Sequence, residues 1–271
     1  KKQLQDKLNL DDIRNIEVVE LPEEKIKKIS ELVEKAEEKA EKSLSILEKA
    51  QAIFHQKIDI DFSKIKKEKT FSVSLSNFAK DDLWTPTFSY PLYTNTIKAI
   101  QKKWQTIPLG EIIAIKKGNE VGSDNYNKYL DKKDSDIPFN RTSDIVNYEV
   151  DQFPDFYIPE ETYTELEQDV KAGDVLFTKD GKVAMSAMFT KNDKAILASG
   201  MVRLRLKAEA KKYCLTPEYL FIVLSLKETG IYPAIRRTVI ASTIPHLREE
   251  RLKEFEIPIL DKDSIDEITK L

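Results

Sequence analysis

The apolar positions of the chain repeat themselves near its two ends. Ile13, Ile16, Val18, Leu21, Ile26 and Ile29 are matched 239 positions later by Leu252, Phe255, Ile257, Leu260, Ile265 and Ile268. Each copy reads as a short strand, a turn and the opening of a helix, so the chain is expected to enter the same structural phase twice. The spacing marks a segment of a protein with repeated halves, with one whole repeat unit between the two copies.

Behind the first copy, Pro22 suits the first helical position and Glu23 and Glu24 suit the positive end of a helix dipole. From there Ile26, Ile29, Val33, Ala36, Ala40, Ser43, Leu47, Ala50 and Phe54 alternate at steps of three and four. That period of 3.5 predicts a long coiled-coil-type helix over residues 22–57, a rod of roughly 50 Å that needs a partner helix. The small residues Ala36, Ala40 and Ser43 at mid-seam let an antiparallel partner approach closely, and an exposed seam can also pair with a second copy of the chain.

Residues 58–103 read as a strap or linker. Its charge run, residues 64–69, is solvated; FSVSLSNF from Phe71 alternates like one strand; and Trp84, Tyr90, Tyr93 and Trp104 lie among prolines as a packed aromatic stretch. From Ile107 the pattern is mixed. Strands are predicted at 112–115, 137–139, 174–178, 182–189 and 201–207, with a hairpin turn at Lys179, Asp180, Gly181 and Lys182. Thr216 before Pro217 caps a helix buried through Leu220, Val223 and Leu226, which Gly230 is expected to close. The fold class is therefore α+β: a globular domain with a small mixed or antiparallel sheet, plus the long helix.

Composition narrows the chemistry. The single cysteine, Cys214, fits a reducing, cytoplasmic compartment, and with only His55 and His246 it cannot build an ordinary zinc site. No apolar run is long enough to span a bilayer, so no membrane partner is expected. The net charge of −3 hides a polarity along the chain. Residues 111–170 hold six Lys and Arg against fifteen Asp and Glu, a balance of −9, while residues 171–248 hold fourteen against six, a balance of +8. The basic block either meets a polyanion or pairs with the acidic one.

There is no GxGxxG, no phosphate-binding loop and no adenine-methyltransferase motif, so neither a nucleotide cofactor nor a methyl donor is expected. Pro154 and Asp155 followed by Asp180, Gly181 and Lys182 mimic the pattern of metal-dependent nucleases, but the second half falls on a predicted turn, which aims Asp180 and Lys182 poorly for catalysis. As a nucleic-acid reader the same turn fits better. Thr178, Lys179, Asp180 and Lys182 place cations, a hydroxyl and a carboxylate at the tip of a ribbon narrow enough for a major groove, where Asp180 can accept from a cytosine amine. Asn140, Arg141, Thr142 and Ser143 form a second polar cluster, and Arg236, Arg237, Thr238, Ser242 and Thr243 a third. Together they supply the side chains that base-edge and phosphate contacts use. A scaffold that binds only protein is the remaining alternative.

Four blocks then carry a family resemblance: WQTIPLGEI (104–112), IPFNRTSDI (137–145), AGDVLFTKDGKVAMSAMF (172–189) and STIPHLREERLKEFEIPI (242–259). In order and spacing they resemble the target recognition domain of type I restriction-modification specificity subunits, and the heptad helix resembles the spacer helix of that family. The resemblance implies a non-catalytic DNA-specificity module without metal or cofactor. Such a module reads half of a bipartite site in double-stranded DNA and docks a DNA adenine methyltransferase subunit and a restriction subunit. It also implies an organisation: 1–21 the tail of a preceding recognition domain, 22–57 the spacer helix, 58–103 the strap, 104–260 the recognition domain and 261–271 the start of a second spacer, with Ser264 and Glu267 as its capping box. The long 58–103 connection and the lack of a first recognition domain fit a shortened subunit, or the specificity region of a fused methyltransferase.

Overall fold

The computed structural model describes residues 9–78, 83–129, 132–133, 136–146, 148–238 and 244–271. The chain divides into two units, Lys1–Ile46 and Leu47–Leu271. The helix Glu23–Ile58 runs through this division. It opens one residue later than expected, because Pro22 stays outside and its carbonyl accepts from the amides of Lys25 and Ile26 at 2.9 and 3.1 Å.

In the first unit, the expected strand of the first repeat copy does not form. Residues Leu10–Arg14 make a short helix, and 16–21 have no regular structure. The second copy explains why. There the helix Glu249–Lys253 leads to the strand Glu256–Pro258, which exists because Thr106–Pro108 pairs with it antiparallel, Ile257 opposite Ile107. Among the described residues the first copy has no such ladder, and an unpaired strand leaves its backbone groups unsatisfied. The helices nonetheless keep the repeat to the residue: Leu10 and Glu249 begin one pair, Glu23 and Lys262 the other, each 239 positions apart.

Among the described residues of the second unit the short strands are β1 (Thr106–Pro108), β2 (Ile113–Lys117), β3 (Ile137–Asn140), β4 (Ile145–Val146), β5 (Glu149–Val150), β6 (Tyr157–Ile158), β7 (Val175–Thr178), β8 (Ser186–Met188), β9 (Ile196–Leu197), β10 (Met201–Leu206) and β11 (Glu256–Pro258). They form an antiparallel sheet β2-β10-β7-β8, a mixed sheet β6-β3-β9 and the pairs β1-β11 and β4-β5. The fold is thus α+β with small sheets and a long helix, as the pattern predicts.

Alternation along β7 separates two apolar layers. Val175 and Phe177 face the main core, which also takes in Phe54 and Ile58 of the long helix, Tyr219 and Val223 of the helix Pro217–Ser225, and Ile265 and Ile268 of the helix Lys262–Thr269. Leu176 faces a second cluster with Ile145, Ala187 and Met201. A third lies under the mixed sheet around Phe139, Phe156 and Ile196.

Several local expectations change. The 71–78 stretch is not a strand: its end is the short helix Leu75–Phe78, opened by Ser74, whose Oγ accepts from the Asn77 amide at 3.3 Å. The strap is helical at Pro86–Ser89 and Pro91–Lys103, each helix with proline in its first turn. The 182–189 strand shrinks to β8, and its register, Phe177 opposite Ser186, leaves a longer connection than a tight hairpin. Gly230 does not close its helix. That helix ends at Ser225, and Gly230 lies in a π-helical turn, Lys227–Ile231, where an added Cβ would sit 1.9 Å from the Leu224 carbonyl oxygen. The cap of the last helix is Asp261, which accepts from the Ser264 amide at 2.9 Å, while Glu267 turns to Lys57 at 2.9 Å. No helix among the described residues is long and apolar enough to cross a membrane.

The seam divides along its length. Ile26, Ile29 and Val33 are about half exposed, and Ala36, Ala40 and Ser43 are exposed. Leu47 is half-buried, whereas Ala50 and Phe54 are in the core.

Candidate nucleic-acid interface

The interface is built where β3 and β7 end and the chain must turn. Asn140, the last residue of β3, is fully buried: its side-chain amide donates to the Asp151 carbonyl at 2.7 Å, and its Oδ1 has no partner. Arg141 follows, half-buried over the Phe156 ring at 4.3 Å, with Nη2 on Asp155 at 2.9 Å and Nε on Asp144 at 3.4 Å. Asp144 also accepts from the Arg141 amide at 2.8 Å and from Ser143 Oγ at 2.7 Å. This turn is therefore tied to its own backbone, with Ser143 exposed and Thr142 half-buried.

The second loop packs onto the first through Gly200. The amides of Lys179 and Asp180 both donate to the Gly200 carbonyl, at 2.9 and 3.2 Å, and a Cβ on Gly200 would lie 2.8 Å from Thr142 Cγ2. Only glycine lets the two loops approach this closely. Thr178 is buried, donating to the Lys182 carbonyl and accepting from the Met185 amide at 2.9 Å. Lys179 is buried too, its Nζ 3.2 Å from Asp180 Oδ2. Thr178 and Lys179 thus brace the loop, contrary to the expected ribbon tip, and Lys182 is the exposed cation.

A third segment closes the group. His246 bridges Asp180 through the backbone and pairs with its carboxylate through Nδ1, the Leu247 amide donates to the Lys179 carbonyl at 2.8 Å, and the Gly181 amide to the Pro245 carbonyl at 3.0 Å. Residues 178–182, 200 and 245–247 are joined by hydrogen bonds, and residues 140–144 pack against them at Gly200, making one surface. His246 and Gly200 were not legible as members of it, since 66 residues separate His246 from its partner. Glu120 belongs to the same surface: it accepts from the Ser199 amide at 3.0 Å and from Tyr126, whose hydroxyl is pushed up to about 12 by burial and by that bond.

Arg236 and Arg237 are used differently. Arg236 Nε donates to the Phe88 carbonyl at 2.6 Å with its guanidinium 4.2 Å from the Phe88 ring centre, and Arg237 pairs with Glu254 at 2.8 Å. Thr238 is buried and donates to the Ala234 carbonyl at 2.6 Å. Arg236 and Arg237 thus fasten the strap and the turn before β11 to the helix Tyr232–Arg237. Ser242 and Thr243 lie outside the described residues.

Nothing in this geometry supports the nuclease alternative. Asp155 is held by Arg141, and Asp180 by Lys179 and His246; among the described residues no three His, Cys, Asp or Glu side chains gather as a metal site needs.

Comparison with known proteins agrees with the sequence blocks. The family described as "Type I restriction modification DNA specificity domain" matches residues 101–267, more than half of the chain. Among curated proteins nothing matches. Among solved structures, the chain is similar to the type I restriction-modification S subunit from M. genitalium (14% identity, 62% of this chain and 37% of that one, TM-score 0.41). It is also similar to the HsdS subunit from Thermoanaerobacter tengcongensis (14% identity, 91% and 47%, TM-score 0.44). A chain from a structure of the type I R-M system has 15% identity, 92% and 51% coverage and a TM-score of 0.45. The chain spans about a third to a half of the length of these proteins. By its family match, the chain belongs to the type I restriction modification DNA specificity domain family.

Proposed function

We propose that this chain selects the DNA site for a restriction-modification methyltransferase, reading half of a bipartite sequence and leaving the chemistry to a separate subunit or domain. Residues 104–260 serve as the target recognition domain, 22–57 as the spacer helix, and 261–271 as the start of a second spacer. What supports the reading most is that loops 140–144 and 178–182, named for their polar content, pack together through Gly200 within the matched family region. On that surface Ser143 and Lys182 are exposed for phosphate or base contact, while Asn140, Thr178 and Lys179 hold the frame. The exposed seam at Ile26, Ile29 and Val33 is the docking face for the methyltransferase subunit, and pairing with a second copy uses the same face. A restriction subunit joins through that complex.

The test is selection from a randomised duplex pool by the full chain with its methyltransferase partner at moderate salt. Enrichment of one short sequence block is expected, with affinity falling steeply as salt rises. A folded chain that enriches no sequence would sink the reading.

A further inference from the structure

We propose that Phe153 is a base-stacking residue of this interface, entering the duplex beside the position served by the 140–143 loop. The inference rests on reading that loop as a DNA contact. Phe153 is 79% exposed, against 67% for Trp84. A single exposed apolar side chain is ordinary; the mounting of this one is not. Its amide donates to Asp151 Oδ1 at 2.8 Å, and Gln152 before it donates to the Val150 carbonyl at 3.1 Å and to Asp193 at 3.0 Å. The loop is then sewn to the 140–144 turn from both sides. Asp151 donates its amide to the Asp144 carbonyl at 2.9 Å and accepts from Asn140 at 2.7 Å, while Asp155 is held by Arg141 at 2.9 Å.

A loop fixed this closely presents the ring to solvent without further ordering of its backbone on binding, which suits a stacking platform or wedge. Arg141 pairs with both Asp144 and Asp155, Asp151 turns an oxygen to the Phe153 amide, and Lys132 Nζ stands 5.6 Å from the ring centre, where it can meet a phosphate. A large contiguous apolar patch would mark a protein-docking face. Here the chain neighbours are the polar Gln152 and the buried Pro154.

The experiment uses the full chain and the duplex its wild type recovers from the randomised pool, with 2-aminopurine scanned through that duplex. Wild type is expected to brighten 2-aminopurine at one step, showing local unstacking. Phe153→Ala should lose that signal and bind about tenfold more weakly with an unchanged salt slope, whereas Phe153→Trp retains both. If Phe153→Ala binds within twofold and wild type brightens no position, the stacking role is overturned and the DNA reading stands. If Phe153→Ala binds DNA normally but no longer captures the methyltransferase subunit, the ring is a protein contact and the proposal is equally overturned. A wild-type chain that recovers no duplex removes the underlying reading as well.

Discussion

Ile26 and Ile29 are about half exposed, whereas Ile265 and Ile268, at the matching positions of the second repeat copy, are 0% and 2% exposed. Both pairs open a helix at equivalent positions, and both follow the same apolar spacing. The second pair is buried because Phe54, Ile58 and Tyr219 complete a core around it. The first has no such surroundings among the described residues of its own unit. Periodicity therefore states which face of a helix is to be covered, and the partner decides whether it is. In this chain the covered copy belongs to a folding core, and the other copy is left about half exposed.

That contrast can be broken or sharpened by substitution. The largest effect is expected at Phe54→Ala and Ile265→Ala, which should each cost about 2–5 kcal/mol in urea denaturation, because each leaves a cavity in a packed core. Ile29→Ala should change stability by no more than about 0.5 kcal/mol, as surface substitutions do. A large loss at Ile29 that grew with protein concentration would show the seam already paired between copies.

Next in size is the effect on DNA. Lys182→Ala should weaken binding several-fold and lower the salt slope by about one phosphate contact. Lys39→Ala, on the exposed part of the long helix, should change neither in the absence of a methyltransferase subunit. Equal effects of the two would erase the division of labour between loop surface and helix.

The smallest effect is in acid. Hydrogen bonds from Lys171 and Arg205 hold the Asp169 carboxyl at about 2, below its ordinary 3.8. A lowered carboxylate contributes stability above its unfolded value and loses it as pH falls from about 3.8 to about 2. Asp169→Asn should flatten that part of the stability–pH curve, and an unchanged curve would show that the pair is not formed in solution.

Much of this arrangement was legible in the sequence. The helix Glu23–Ile58 and strands β2, β3, β7 and β10 follow from apolar spacing, which marks the positions to be covered whether or not this chain covers them. What spacing does not carry is partnership. The 16–21 and 71–74 stretches have strand-like composition but no ladder among the described residues, whereas Glu256–Pro258 has Thr106–Pro108. Gly230 looked like a helix stop because glycine commonly ends helices, yet close approach to the Leu224 carbonyl is what requires it. In the candidate loops, residue type shows which side chains are polar but not which of them the fold itself engages. Thr178, Lys179, Arg236 and Arg237 are engaged by the protein itself, while His246 and Gly200 entered only through tertiary contact.

Hydrogen–deuterium exchange of the full chain, with and without the duplex it selects, separates DNA reading by the loops from binding along the helix. Slowed exchange on DNA binding is expected at 140–144, 151–156, 178–182 and 245–247, with residues 23–46 unchanged. Slowed exchange confined to residues 23–46, with those loops unaffected, would contradict DNA reading by the loops.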